Sequence, residues 1–392
     1  MREITDVFLS FLKLGFTSFG GPVAHLGYFR AEFVERRRWF DDRSYADLVA
    51  LCQFLPGPAS SQVGMGIGLM RAGLPGMFAA WTAFTLPSAL ALVAVAYGSS
   101  LLGGAVGASV LSALKLVAVA VVAQAVWQMA QTLAPDRARG SIAVAAALFM
   151  LLVPGIFAQV AVIIAGAAIG LVALTPKDRE GRTALSSPIG PLGAGLALAL
   201  FFLFLLGVPW LLDGGGPLAQ LFDIFYRAGA LVFGGGHLVL PLLESQVVPA
   251  GLITQDEFLA GYGAAQAVPG PLFTFSAFVG AAALPGAQGL VGAAVALIAI
   301  FLPSFFLVPG TLRYWSTLAD YRPARAALTG INAAVVGLLL AALYNPVITS
   351  AVATPLDGAF ALAAFALLHL WKAPPWAVVI GAAAVGAAAA MV

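Results

Sequence analysis

The sequence predicts an all-α integral membrane protein with two homologous halves in inverted topology, each containing paired broken or re-entrant helices. Three observations predict this class: an apolar composition, Gly/Pro breaks that recur inside apolar segments, and Arg-bearing loops that alternate between the halves. Of 392 residues, 61% are hydrophobic and 9% are charged, whereas soluble domains carry about 25% charged residues. The chain is therefore expected to span the lipid bilayer several times.

Composition also excludes several functional classes. The net charge is only +2 and no basic stripe is present, so nucleic-acid binding has no electrostatic support. The single cysteine, Cys52, excludes an internal disulfide and a cysteine-based metal site. With three histidines and 17 carboxylates, most of them in polar loops, we expect no metal site and no cofactor. The N-terminus has no cleavable signal pattern.

The order of apolar segments gives the predicted helices. The first helix covers 4–19, and after a Gly-Gly break a second runs to about residue 34. A third covers 45–55, and after a Pro-Gly-Pro break a fourth runs to residue 70. Further apolar runs are long enough to cross a bilayer and cover 75–98, 109–132 and 191–212. Segment 141–174 is split near Pro154-Gly155 and predicts a helical hairpin, and 175–190 is a polar linker.

Five short motifs recur in the same order at nearly one spacing, which predicts an internal repeat. Phe-Gly-Gly begins at position 19 and again at 233, and Gln-x-x-Pro-Gly-Pro begins at 53 and again at 266. Leu-Pro-Gly begins at 74 and 284, Leu-Pro-Ser at 86 and 302, and Ala-Val-Val at 120 and 334. The predicted domains are an N-terminal repeat (1–174), a linker with a connecting transmembrane helix (175–214) and an inverted C-terminal repeat (215–392).

The distribution of arginine predicts that the halves are inverted, because Lys and Arg favour cytoplasmic loops. Loop 35–43 holds four arginines, but its counterpart 248–257 holds no Lys or Arg. The bias reverses between 99–108, which has none, and 311–325, which has three arginines. If each broken helix crossed the bilayer, the Arg-rich loops would fall on opposite sides. If each pair is re-entrant, all of these loops are cytoplasmic, so we prefer the re-entrant arrangement.

The breaks supply the predicted substrate-binding residues, since a helix N-terminus inside the membrane offers free N–H groups and about half a positive charge to an oxyanion. Pro58 and Pro271 are expected in the first turns that follow the breaks. Ser60, Ser61, Gln62, Thr274 and Ser276 add neutral donors. The alternative is that the Pro-Gly-Pro turns are structural kinks. The predicted break residues are Phe19, Gly20, Gly21, Gln53, Pro56, Gly57, Pro58, Ser60, Gly234, Gly235, Gly236, Gln266, Pro269, Gly270 and Pro271.

Ionisable side chains near the breaks complete the predicted site. Lys13 and Arg227 each precede a Phe-Gly-Gly break by the same distance along the chain, which predicts two positive charges close to one central site. The alternative is that they extend to the membrane interface. His25 and His237 lie close behind the glycines and could donate to an anion or serve in packing. No residue is predicted to be catalytic.

The motif Gly15-Phe16-Thr17-Ser18-Phe19-Gly20-Gly21-Pro22-Val23-Ala24-His25, the motif Gln53-x-x-Pro56-Gly57-Pro58 and their second copies resemble the chromate ion transporter family in its long, two-half form. The resemblance implies a multi-pass protein of the bacterial inner membrane that exports chromate, with sulfate as a competitor because the two dianions share shape and charge. The second copy has Gly236 where the first has Pro22, and its histidine comes earlier. A role carried from His25 to His237 is therefore open.

The leading hypothesis is a secondary transporter for a tetrahedral divalent oxyanion. A transporter of sulfate or another oxyanion is the nearest alternative, and a membrane enzyme is an alternative of another class. The sequence has no Gly-x-x-x-x-Gly-Lys-Ser/Thr motif for ATP. The oligomeric state is open, with a homodimer as one alternative.

Overall fold

The computed structural model describes residues 1–101, 104–153, 156–175, 185–212, 214–233 and 239–390. This part of the chain is helical and contains no strand. The first half contains α1 (Arg2–Thr17), α2 (Gly21–Arg30, extended by a π-helical turn Ala31–Arg36), α3 (Asp42–Phe54), α4 (Ala59–Leu101), α5 (Gly104–Leu133), α6 (Arg137–Leu152) and α7 (Ile156–Ala173). The connecting helix is α8 (Pro191–Leu211).

The second half repeats this order with shorter pieces. Its elements are α9 (Pro217–Leu231), α10 (Val239–Val247), α11 (Gln255–Ala265), a 3-10 turn (Leu272–Thr274), α12 (Phe275–Ala283), α13 (Gln288–Leu312), α14 (Trp315–Asp320), α15 (Arg322–Ala342), a π-helical turn (Leu343–Ile348), α16 (Thr349–Ala351), α17 (Pro355–His369) and α18 (Pro375–Ala389). The predicted turn at Pro154-Gly155 and linker residues 176–184 lie outside the described residues.

The broken helices of the first half are re-entrant. Helix α4 is interrupted at Ala72 and Gly73, where the backbone leaves helical geometry, and Gly68 before this turn packs against the Gly76 carbonyl after it. Arg71 at the turn lies 3.3 Å from Glu3 at the start of α1 and 5.3 Å from the Trp39 ring. Both pairs, 2–36 and 42–71, therefore begin and end on one side of the molecule. We call this the Arg-rich side, because loop 35–43 lies there.

The second half is inverted relative to the first. After its turn, α4 continues over 74–101, a length of about 42 Å at a rise of about 1.5 Å per residue. Near its far end, the Tyr97 hydroxyl donates to the Gly286 carbonyl at 2.7 Å. Gly286 lies in the turn between α12 and α13, which is the repeat counterpart of the turn at Gly73. Equivalent turns thus lie on opposite sides, and the predicted inverted topology is confirmed.

Five helices are long and apolar enough to span a membrane, namely α4, α5, α8, α13 and α15, among the described residues. Close helix crossings depend on glycine, since a bare Cα lets two backbones approach. Gly280 packs on the Gly292 carbonyl as Gly68 does on Gly76, and Gly330 of α15 packs on Gly166 of α7. The fold-class prediction of an all-α membrane protein with two homologous halves is confirmed.

Loops on the Arg-rich side are stabilised by local ion pairs and caps. Asp41 is the N-cap of α3 and accepts from the Ser44 N–H at 2.7 Å. This backbone hydrogen bond holds the pKa of Asp41 below its usual range. The buried carboxylate of Glu32 pairs with Arg36 and Arg37. Part of the predicted arginine cluster therefore fixes the end of the first re-entrant pair.

Candidate functional site

The two halves meet at the breaks through reciprocal backbone hydrogen bonds. The Gly57 N–H donates to the Val232 carbonyl at 2.6 Å, and the Gly270 N–H donates to the Ser18 carbonyl at 2.9 Å. Val232 is the repeat counterpart of Ser18, and Gly270 is the counterpart of Gly57, so the two bonds are repeat-related. We call this contact the central crossing.

These bonds correct one expectation about the Pro-Gly-Pro turns. The Gly57 and Gly270 N–H groups are used by the opposite half, so they are not free to meet an anion. A Cβ at Gly57 would lie 2.6 Å from Gln62 Nε2 and 3.1 Å from Ser304 Oγ. A Cβ at Gly270 would lie 2.8 Å from Ser88 Oγ. The space beside Gly57 is occupied by Gln62 of its own half and Ser304 of the other half, and the space beside Gly270 is occupied by Ser88 of the other half.

His25 stabilises the first break through two hydrogen bonds. Its ring is fully buried, with Nε2 3.2 Å from the Ser18 carbonyl and Nδ1 3.3 Å from the Ser60 hydroxyl. Because a carbonyl only accepts, Nε2 carries the proton and Nδ1 accepts from Ser60. The histidine therefore joins the first break to the start of α4. The second-half residues predicted for the site, Gly234–Gly236 and His237, lie outside the described residues.

Buried polar atoms without partners collect at the helix starts beside the central crossing. Pro58 and Pro271 are N-cap residues, one position before the first turn in which they were expected. Four side-chain oxygens near these prolines or at the first break have no hydrogen-bond partner among the described residues, and their residues are at least nine-tenths buried. They are Ser18 Oγ, Ser61 Oγ, Gln62 Oε1 and Ser276 Oγ. An unpaired buried hydroxyl costs about 1–3 kcal/mol, so a ligand or water with matching groups would be stabilised there.

The predicted cations do not converge on this region. Lys13 is on the exposed face of α1. Arg227 pairs with Asp223 one turn earlier on α9, with the two side chains 34% and 17% exposed. The repeat counterpart of Asp223 is Leu9, so the pairing has no equivalent in the first half. Equal spacing from the breaks correctly predicted that these cations lie on equivalent helices, α1 and α9. It did not predict whether their side chains face the crossing or which residues they contact.

A cavity of about 620 Å³ leads from the central crossing towards the Arg-rich side. We call it the first cavity. Predicted residues Phe19, Gly20, Gly21, Gln266 and Gly270 line it, together with residues that sequence reasoning did not assign to a site. The additional lining residues include Tyr28, Gln124, Trp127, Gln128, Gln131, His369, Lys372 and Trp376.

The three added glutamines share one face of α5. Gln124, Gln128 and Gln131 are spaced by four and three positions, the spacing that places side chains on one helix face. Such a row in an otherwise apolar span was the available signal for this cavity. Lys372 is the cation among the described lining residues, and it has an exposed side chain. Gln53, by contrast, is exposed and does not line the first cavity.

A second cavity of about 300 Å³ is the repeat counterpart of the first. Its lining residues Phe233, Leu338 and Asn345 are the repeat counterparts of Phe19, Gln124 and Gln131 in the first cavity. Helix α15 begins on the Arg-rich side and ends beside Asn345, so this cavity lies towards the opposite side. The molecule thus has two related cavities, one on each side of the central crossing.

The division of the chain into two homologous halves agrees with comparisons to known proteins. A sequence model of the family described as "Chromate transporter" matches residues 5–171 and again 219–387. The chain belongs to the chromate transporter family. The two matched regions cover the two structural halves.

Two curated relatives of this chain carry the name chromate transport protein. The protein from Pseudomonas aeruginosa is 28% identical over 374 residues, covering 94% of this chain and 87% of the relative. The protein from Cupriavidus metallidurans is 27% identical over 390 residues, covering 98% and 92%. An uncharacterized transporter of Methanocaldococcus jannaschii is 28% identical over 353 residues, covering 86% and 82%. No solved structure gives a significant match.

Proposed function

We propose that the protein is a secondary transporter that exports chromate, or a similar tetrahedral divalent oxyanion, across a bacterial inner membrane. The observation that carries this proposal is the family match over both halves, which meet at a crossing flanked by a cavity on each side. Related cavities on opposite sides of one site are what alternating access between two halves requires. In this proposal the oxyanion enters from the first cavity, since that cavity lies on the side that the loop arginines predict to be cytoplasmic.

Binding chromate at the central crossing would use hydrogen-bond donors more than fixed charge. Hydroxyls of Ser18, Ser61 and Ser276 can donate to oxyanion oxygens, and the N-termini of α4 and α12 add positive potential. Lys372 attracts the dianion into the first cavity. Gln124, Gln128 and Gln131 then replace part of its hydration on the way to the crossing.

The membrane potential can supply the energy for export. A dianion that leaves an inside-negative cell gains about 4.6 kcal/mol per 100 mV, twice the value for one charge. This gain sustains a concentration ratio of roughly 10³, since each tenfold step is about 1.36 kcal/mol. Sulfate is expected to compete, because it has the same charge and geometry.

The test uses purified protein in liposomes with a potassium diffusion potential. We expect labelled chromate to move towards the positive side and unlabelled sulfate to inhibit that movement. The chromate recovered should remain chromium(VI). Conversion of the chromate would instead support the alternative of a membrane enzyme, and flux equal to that of empty liposomes would contradict transport.

A further inference from the structure

The second cavity contains a buried carboxylate that the proposed transport does not use. Glu244 on α10 is 4% exposed and lines this cavity with Gln159, Ser245 and Gln255. The Gln255 amide donates to Oε1 of Glu244. The other oxygen, Oε2, is buried and has no hydrogen-bond partner among the described residues.

Charged groups on the elements packed against α10 leave Glu244 without a cation. On α9, Arg227 is paired with Asp223; on α11, Asp256 is paired with Lys115, and Glu257 forms a capping box with Thr254. On α15, Arg322 and Arg325 are in the first turn, whereas the residues of α15 that line the cavity begin at Val335. The described part of α7 carries no charged residue. No Lys or Arg of the described chain lies within ion-pair distance of Glu244.

The charge state of Glu244 determines whether the second cavity repels a dianion. An ionised carboxylate buried without a cation is strongly unfavourable, and it repels a second negative charge in the same cavity. A bound proton removes both effects. The repeat counterpart of Glu244 is Arg30, which pairs with Glu35 and Asp42 in an exposed position. The unpaired acid is therefore particular to the second cavity.

We propose that Glu244 is a proton-binding gate: the dianion passes through the second cavity when Glu244 is protonated and is excluded when it is ionised. This inference rests on the proposed function. Protonation forms the carboxyl O–H bond with a proton from water on the side opposite the Arg-rich side. Its release returns the proton to that water and leaves the carboxylate. Gln255 holds the carboxyl group in place in both states.

The test measures labelled sulfate flux in oriented proteoliposomes, because sulfate stays a dianion between about pH 5 and about pH 8, the range over which a buried carboxyl can titrate. We expect wild-type flux to fall at least fivefold as the pH rises on the second-cavity side. Glu244→Gln mimics the protonated form, so its flux should stay near the low-pH value of the wild type at every pH. Glu244→Asp keeps an acid and should keep a pH dependence.

The matched control is Glu35→Gln, which removes an exposed carboxylate on the Arg-rich side and should retain the wild-type pH profile. An infrared titration gives a readout independent of transport: the protonated-carboxyl band that changes with pH should be absent in Glu244→Gln. A wild-type pH profile in the folded Glu244→Gln variant, or an unchanged infrared band, would overturn the gate while leaving transport intact. Absence of sulfate and chromate flux at every pH would overturn the proposed function and the gate with it.

Discussion

At the scale of single residues, the carbonyl of Ser18 joins three parts of the molecule. It accepts from the Gly270 N–H of the second half at 2.9 Å and from His25 Nε2 at 3.2 Å. His25 in turn contacts Ser60 at the start of α4. Inside a membrane no bulk water can replace these bonds, so His25 contributes to the position of the break as well as to its stability.

His25→Ala should therefore destabilise the protein. The change leaves the Ser60 hydroxyl without its partner and opens a cavity beside Phe84, which is 5.3 Å from the ring. We expect a loss of about 2–4 kcal/mol, combining an unpaired buried group with lost packing. Unfolding in detergent measures the change, with His369→Ala in the open first cavity as the control. Equal stability of both variants would show that His25 does not brace the break.

Lys372 and Lys13 offer a direct comparison between the structure and the sequence pattern. Lys372 lines the first cavity, whereas Lys13 is exposed on α1. We expect Lys372→Gln to raise the KM for chromate about fivefold, a change of about 1 kcal/mol that is reduced by salt. Lys13→Gln should change KM less than twofold. Initial rates at two salt concentrations measure both variants, and the reverse order would favour the site predicted from equal spacing.

At the residue scale, the sequence predicted backbone breaks better than it predicted side-chain contacts. The breaks at Gly20-Gly21 and Pro56-Gly57-Pro58 were predicted correctly, because glycine and proline interrupt a helix at their own positions. The partner of Arg227 was not predicted from the repeat, since the counterpart of Asp223 in the first half is Leu9, which carries no charge. The glutamine face of α5 was also missed, because polar residues in a span matter only once the neighbouring helices are known.

At the scale of elements, each re-entrant pair depends on a glycine that contacts the opposite half. Gly57 has φ +118° and Gly270 has φ +101°, in the left-handed region that other residues rarely adopt. Both also lie where a side chain would meet Ser304 or Ser88. The sequence predicted these turns and their repetition. It could not predict that each turn bonds to the other half, since that contact joins residues far apart in the chain.

Gly57→Ala and Gly270→Ala should each break the backbone hydrogen bond that its glycine makes at the central crossing. We expect membrane insertion to continue, chromate flux to fall at least tenfold and stability to fall by about 2–4 kcal/mol, from backbone strain and steric overlap. Gly27→Ala is the matched control, because nothing lies within 4 Å of its Cβ position and α2 is helical there. Flux assays and detergent unfolding measure the three variants. Wild-type behaviour of Gly57→Ala would mean that the Pro-Gly-Pro turn is an adaptable kink.

At the scale of the whole molecule, inversion places the two cavities on opposite sides of one crossing. The loop arginines predicted this sidedness, and the Tyr97–Gly286 contact confirms the opposite placement of equivalent turns. The cavities themselves were not predictable, because their walls combine α5 with α17 and α18, or α15 with α6 and α7. Which compartment each cavity faces stays a prediction from the positive-inside rule.

Cysteine labelling tests that sidedness, since Cys52 is buried and Cys52→Ser gives a silent background. Gln128→Cys places a thiol in the first cavity and Asn345→Cys places one in the second. Because α5 ends on the Arg-rich side and α15 ends on the other, a membrane-impermeant maleimide should label position 128 from the cytoplasm and position 345 from outside. Arg38→Cys and Gly251→Cys report the two surfaces as controls. Sulfate in excess should slow labelling at 128 while labelling at 38 is unchanged, because only the cavity holds the dianion. Labelling of 128 and 345 from the same side would contradict the inverted topology and, with it, alternating access through the two cavities.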